Sequence, residues 1–205
     1  MTAGPAGLRL VHLHLASRRV PAALAVLAAC AGALRAALQW HWDTYGALQL
    51  PLIFEAVAAA AIVVTTASPF GEPERATGRW LPFLRLGAAL ALTAGAVLAL
   101  AAAGTGAHLA GGTLDVLHNV AGLTGSGWLL AAVLGGRLAW AGPLGYMMAG
   151  VYALYTDWHG PALTTPWLWP GRAPHDLGAA LCAGLVLAGG LAVITVRGPR
   201  DPAGE

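Results

Sequence analysis

Two ionisable residues lie inside long apolar runs of the sequence, and they are the first candidates for chemistry. Glu55 lies near the middle of Leu-Pro-Leu-Ile-Phe-Glu-Ala-Val, and Arg35 lies near the end of the preceding run. An ionised carboxylate in lipid is costly, so Glu55 must carry a proton, find a partner, or face protein or water. A short connection joins the two runs, which makes an Arg35–Glu55 ion pair geometrically reasonable. Glu55 is therefore either a proton or substrate site or a structural group, and the sequence alone favours the structural role.

A second group of polar and small residues opens the fourth apolar run. Asn119, Gly122 and Ser126 are spaced three and four apart, so they share one face of a helix. Such a stripe either lines a path through a helical bundle or holds a neighbouring helix by hydrogen bonds. Both roles stay open, and helix–helix hydrogen bonding is favoured.

Histidines are the residues best suited to bind haem or a metal, and the chain has seven. None lies in the middle of an apolar run, and neither H-x-x-x-H nor H-E-x-x-H occurs, which disfavours haem. A loose metal site formed by His41, His159 and His175 stays open as an alternative. The sequence also lacks G-x-S-x-G, a phosphate-binding glycine loop followed by Lys, and paired carboxylates on one helix. We therefore expect no catalytic residues and no cofactor or metal bound by this chain.

Composition indicates what kind of structure must position these residues. Apolar residues make up 58% of the 205 residues, and charged residues make up 10%, against about 25% in ordinary soluble domains. Too few charges remain to cover a soluble surface. The 11 basic residues are scattered and nearly balanced by 9 acidic ones, which argues against nucleic-acid binding. The sequence predicts an all-α integral membrane protein.

Six apolar runs have the length, about 20 residues, that an α-helix needs to cross a bilayer. The connections between them are short, so residues 20–196 are predicted to form one six-helix transmembrane domain. Residues 1–19 form a cytoplasmic or interfacial arm, and residues 197–205 form a cytoplasmic tail. The predicted spans are Val20–Gln39, Gly46–Thr66, Leu81–Gly104, Leu117–Gly136, Leu138–Thr156 and Leu177–Val196.

The distribution of arginine predicts the orientation of these spans. Nine arginines flank the runs on one side, whereas only Arg172 lies on the other, and cytoplasmic loops carry the excess of positive charge. Both termini are therefore predicted to be cytoplasmic. Lysine is absent and alanine is abundant, which is typical of GC-rich bacterial coding sequences, so the predicted location is the bacterial cytoplasmic membrane. The nine are Arg9, Arg18, Arg19, Arg75, Arg79, Arg85, Arg137, Arg197 and Arg200.

Small residues spaced four apart predict close helix packing in lipid. The third run contains one such series, and the sixth run contains another. Each series is either a contact within the chain or part of a dimer interface. The residues are Gly87, Ala91, Gly95, Ala99 and Ala103 in the third run, and Ala180, Gly184, Ala188 and Ala192 in the sixth.

Two connections are unusual in composition. The segment from Asp157 to Pro170 is rich in Trp and Pro and too apolar for a free loop, which predicts a re-entrant outer hairpin between the fifth and sixth spans. The segment from Ser68 to Trp80 holds the densest charge, with both signs mixed. It is either a short helix that docks on a soluble partner or a solvated turn. Its charged candidates are Glu72, Glu74, Arg75 and Arg79.

This layout resembles that of the ABC-2 type exporter permeases. Three short motifs support the resemblance: Ser-Pro-x-Gly-Glu-x-Glu-Arg (68–75), Asn119 followed by Gly-Leu-Thr-Gly (122–125), and Gly-x-Arg-Leu-Ala-Trp (135–140). The resemblance implies a permease subunit, without ATPase motifs of its own, that moves a hydrophobic or amphipathic substrate outward. It also implies that Glu72–Arg79 contacts a separate ABC ATPase that binds ATP and Mg, and that a second permease chain completes the pathway.

Two other classes of function stay open. The chain is alternatively a membrane redox or metal-binding enzyme subunit that uses Glu55 or the histidines of the outward loops. It is alternatively a membrane scaffold that transports nothing. Bound metal or an absorbance band in the pure protein would favour the enzyme.

Overall fold

The computed structural model describes residues 18–199, apart from residues 41, 43, 68–80, 108, 110, 156–164, 173 and 174. In these residues the secondary structure is helical throughout and includes no strand. One short 3₁₀ helix, Pro166–Gly171, precedes the last of six α-helices and is called the 3₁₀ segment below. The α-helices are α1 (Val20–Ala37), α2 (Thr44–Val64), α3 (Leu81–Ala103), α4 (Gly112–Leu134), α5 (Ala141–Tyr155) and α6 (Leu177–Val196).

Five of these helices, α1 to α4 and α6, are long and apolar enough to cross a membrane. The chain is therefore a multi-pass membrane protein, as its composition predicts. Helix α5 has 15 residues and is about 22 Å long at the α-helical rise, short of the roughly 30 Å thickness of a bilayer core. It begins later than the predicted run because turns, closed by bonds such as Leu138 N–H to Gly135 O (3.2 Å), precede it.

Helix α4 begins at Gly112, five residues before the start predicted from hydropathy. The polar residue Asp115 belongs to its first turn, where a carboxylate is favoured by the helix dipole. Asp115 also contacts His118 one turn later, at 3.1 Å between Oδ1 and Nε2. Asp115 therefore belongs to the first turn of α4, and not to the connection before it, where the hydropathy pattern placed it.

Helix α4 is the most buried of the five apolar spans and packs most extensively against α6. The two backbones touch, since a Cβ built on Gly190 would lie 2.6 Å from the Gly125 carbonyl oxygen. The four-residue series of α6 does not make this contact. Its members Ala180, Gly184, Ala188 and Ala192 are all exposed in the single chain. Within the described residues, the series is therefore not a packing contact of the chain.

Two apolar clusters hold the other helices in place. Leu34 of α1, Ile62 of α2 and Leu100 of α3 belong to the larger core, together with residues of α4 and α6. Helix α5 packs on α2 and α4 through a smaller cluster that includes Leu52 and Leu123. Helix α2 thus contributes to both apolar clusters, and its residue Glu55 is fully buried.

The 3₁₀ segment lies against α4, α5 and α6, and its residues Leu168, Trp169 and Pro170 are buried. This part of the Trp-rich connection is therefore not a free loop, as its composition predicts. Asp176 ends the connection by accepting hydrogen bonds from Gly178 N–H (2.9 Å) and Ala179 N–H (3.3 Å) at the start of α6. Arg172 in turn donates to the Asp176 carboxylate at 3.1 Å.

Candidate functional site within the helical bundle

Glu55 lies near the middle of α2, and none of its surface is exposed. In the described part of the chain, neither carboxyl oxygen makes a hydrogen bond of ordinary geometry, and the nearest hydrogen-bonding side chain is that of Asn119. Pro51, one turn earlier on the same helix, lies inside α2 and removes one bond of its ladder. A buried polar group without a well-formed hydrogen bond is costly and uncommon in folded proteins. Glu55 is therefore the first residue whose presence needs a functional explanation.

Two residues of α4 face the Glu55 carboxyl. The Asn119 side chain and the Asp115 carboxyl both interact with it electrostatically. Asn119 is itself only 2% exposed, and its Oδ1 makes no hydrogen bond to any described residue. The result is a buried polar group between α2 and α4, in which the Asn119 amide can donate to the Glu55 carboxyl. Such a group can hold a proton, a small cation or a hydrogen-bond donor of a substrate.

Arg35 does not pair with Glu55. Its guanidinium donates to the carbonyl oxygens of Ala103, at 3.3 Å, and of Thr105. These carbonyls belong to the end of α3, where the last turn of a helix leaves acceptors unsatisfied and favours a positive charge. The predicted Arg35–Glu55 ion pair is therefore absent from the described contacts. It does not explain why Glu55 is buried.

The polar stripe on α4 divides into residues with different roles. Ser126 donates its hydroxyl to the Leu123 carbonyl of its own helix at 2.7 Å. Gly122 supports close packing, because a Cβ at this position would lie 2.6 Å from the Trp169 indole. Ser126 thus bonds within its own helix, whereas the Asn119 side chain interacts across to the Glu55 carboxyl on α2. Only Asn119 joins the group around Glu55.

Tyr146 and Trp169 are site residues that the sequence did not single out as a pair. Their rings stack with centroids 4.2 Å apart and planes 12° from parallel. Trp169 covers Gly122, one turn along α4 from Asn119, and Tyr146 also packs against the cluster that contains Leu52. The Trp169 Nε1 and the Tyr146 hydroxyl are buried without a partner among the described residues. The high Trp content of the connection was the available signal, but the sequence did not indicate that Trp169 would stack on Tyr146 of α5.

The remaining candidates fall outside this site. Glu72, Glu74, Arg75 and Arg79 lie outside the described residues, as do His41 and His159, whereas His175 is exposed. Within the described ranges, no three His, Cys, Asp or Glu side chains come together as a metal-binding group.

No protein-family model matches the chain, and neither a curated protein nor a solved structure is significantly similar to it. Inference about function therefore depends on the residues and geometry described above.

Proposed function

We propose that this chain is the membrane-spanning permease subunit of an ATP-binding-cassette exporter. The observation that carries the proposal is the buried polar group of Glu55 and Asn119 between α2 and α4. An ionisable residue inside the membrane faces a bundle interior or a cavity and marks a transport pathway more often than a packing site. The described contacts give Glu55 no salt bridge to Arg35, and the hydrogen-bonding group that faces its carboxyl is the Asn119 side chain.

The proposed permease crosses the membrane six times, with both termini in the cytoplasm. Arginine distribution supports an even number of spans, because the flanks of α1, α3 and α6 all carry the positive charge of a cytoplasmic side. This topology requires α5 to cross as well. A short span is accommodated by local thinning of the bilayer at modest cost.

Coupling follows from the position of the charged connection in the chain. Residues 72–79 lie directly between α2 and α3, so a partner that pushes on them acts on the helix that carries Glu55. The partner is an ABC ATPase that binds ATP and Mg, and this chain supplies the force-receiving loop. Pro51 weakens α2 near Glu55, which allows α2 to shift relative to α4. A second permease chain completes the pathway for a hydrophobic or amphipathic substrate.

Purification of the tagged chain from its native host tests the proposal. We expect an ABC ATPase to be retained in stoichiometric amount, together with vanadate-sensitive ATP hydrolysis. A chain that is purified intact, in a membrane-like scaffold, without such an ATPase would contradict the proposal. Bound metal or an absorbance band in that preparation would instead favour the enzyme class.

A further inference from the structure

Two ionisable side chains are in contact in the first two turns of α4, at the end of the bundle where this helix begins. Asp115 Oδ1 and His118 Nε2 are 3.1 Å apart, within the roughly 2.6–3.2 Å over which a positioned acid and base exchange a proton. The Asp115 side chain is 21% exposed, whereas that of His118 is 7% exposed. The pair therefore joins the surface of the chain to its interior.

Asp115 extends this pair to Glu55. Its carboxyl interacts electrostatically with the Glu55 carboxyl, where α2 packs on α4. Asn119 lies four residues after Asp115, so the two share a face of α4, and the Asn119 side chain also interacts with Glu55. Glu55 has no exposed surface, so it can gain or lose a proton only through neighbouring groups.

The charged residues of the other helices that pack on α2 are engaged elsewhere. Arg35 of α1 donates to the carbonyl oxygens at the end of α3, and Arg85 of α3 lies beside the chain that follows α6. Helix α5 has no charged residue, and its Tyr146 stacks on the 3₁₀ segment. Within the described residues, Asp115 is thus the charged neighbour of Glu55.

The backbone before α4 leaves room for the Asp115 carboxyl. A Cβ built on Gly111, one turn earlier, would overlap the Asp115 side chain. Any larger residue at position 111 would therefore displace Asp115. This close approach is a second observation, independent of the charges, that fixes the position of the Asp115 carboxyl.

We propose that Asp115 and His118 form a proton relay between the surface of the bundle and Glu55. Histidine suits this role because it gains and loses a proton near neutral pH. During uptake, the His118 imidazolium gives a proton to the Asp115 carboxylate, and the resulting carboxylic acid gives a proton to the Glu55 carboxylate. Neutral His118 then takes a proton from water. One proton has moved from water to Glu55, no other bond has changed, and release follows the same steps in reverse.

This inference rests on the role of Glu55 in the proposed function, and it adds that the site exchanges protons with one end of the bundle. Its test needs no ATPase. A chain that shows the relay but retains no ATPase on purification would contradict the proposed function alone.

Infrared spectroscopy of the purified chain, in a detergent without carbonyl groups, follows the proton on Glu55. The carboxylic-acid C=O band that is present in the native chain and absent from Glu55→Gln identifies this group. The spectra are recorded at the acid pH where the band is largest. After transfer from H₂O to D₂O the band moves to lower frequency, and the rate of this shift measures proton exchange at Glu55.

Four variants and one control of each kind separate a relay from a structural effect. Asp115→Asn and His118→Gln should each slow the exchange at least about tenfold, since a positioned acid–base group contributes roughly 10²–10⁴-fold to proton transfer. His175→Gln is the matched control, because His175 is exposed. Gly111→Ala displaces Asp115 but keeps every ionisable group, so it should also slow exchange. Gly95→Ala should not, because no atom lies within 4 Å of its Cβ position.

The direction of the change decides between the two explanations. A variant that merely loosens the bundle admits water and speeds exchange, whereas loss of a relay slows it. Exchange at the native rate or faster in folded Asp115→Asn and His118→Gln would therefore overturn the proposal. So would the lack of any band that depends on Glu55. If Asp115→Asn fails to fold, His118→Gln and Gly111→Ala still decide, because both keep the Asp115 carboxyl.

Discussion

A buried carboxyl group without a hydrogen bond of ordinary geometry lowers the stability of the protein that contains it. Glu55 is in this position, fully enclosed between α2 and α4 with Asn119 and Asp115 opposite it. A buried polar group without a full set of hydrogen bonds costs free energy, so an apolar residue of similar volume at the same position removes that cost. Residues that reduce stability and are nevertheless present are typical of functional sites.

Glu55→Leu therefore separates a functional carboxyl from a structural one. We expect the free energy of unfolding of this variant to exceed that of the native chain by roughly 1–3 kcal/mol, because an incompletely satisfied buried group is removed. It should therefore unfold at a higher temperature. We also expect transport to be lost. Glu55→Gln, which keeps the shape but not the ionisable proton, should fold normally and also lose transport. Thermal unfolding in detergent and a transport assay on the reconstituted complex measure the two effects.

The opposite pattern would return Glu55 to a structural role. If Glu55→Leu unfolds the bundle while Glu55→Gln retains full transport, the carboxyl serves to hold α2 and α4 together. The sequence favoured that role because Arg35 was a reasonable partner. Arg35 instead donates to the carbonyl oxygens at the end of α3. This contact joins residues about 70 positions apart, so the proximity of α1 and α2 in the sequence did not indicate it.

The bounds of α1, α2, α3 and α6 were predictable to within two residues, but the faces by which the helices pack were not. Helix α6 runs from Leu177 to Val196 as predicted, because an apolar run of about 20 residues leaves a helix few alternatives in lipid. Its packing face was not predictable, since small residues occur on more than one side of so Ala-rich a helix. Gly190 makes the contact with α4, whereas Gly184 has no atom within 4 Å of the position a Cβ would take.

A pair of identical substitutions on α6 tests this packing face. Gly190→Ala places a Cβ 2.6 Å from the Gly125 carbonyl oxygen, and backbone cannot move aside cheaply. We expect a loss of about 1–3 kcal/mol in stability from overpacking. Gly184→Ala should be neutral or slightly stabilising, because alanine is the better helix former. Thermal unfolding of the two variants measures the difference, and equal effects would contradict the α4–α6 contact.

The topology of the whole molecule depends on whether the short helix α5 crosses the membrane, and cysteine labelling tests this directly. In a background without Cys30 and Cys182, we expect Gly78→Cys to be labelled only from the cytoplasm. Ala162→Cys, in the connection after α5, should be labelled only from outside. If α5 did not cross the membrane, both cysteines would lie on the same side. Membrane-impermeant maleimide labelling of intact cells and of inverted vesicles distinguishes these outcomes.

Coupling to an ATPase is the central claim about the whole molecule, and it depends on the connection between α2 and α3. Individual surface ion pairs contribute under about 1 kcal/mol, so Glu72→Lys alone should have a mild effect. Reversal of Glu72, Glu74 and Arg75 together removes a network and should release a docked partner. The six helices should remain inserted, because the connection lies outside the hydrocarbon. Arg137→Glu, at an exposed position between α4 and α5, controls for general charge effects.

The most direct measurement is the amount of ABC ATPase retained on the tagged chain after purification from its native host. The native chain and the Arg137→Glu control are predicted to retain it in stoichiometric amount. The triple reversal Glu72→Lys, Glu74→Lys and Arg75→Glu is predicted to lose it while the membrane domain stays intact. Full retention by the triple variant, or no ATPase on the native chain, would contradict the assignment of this protein as an ABC exporter permease.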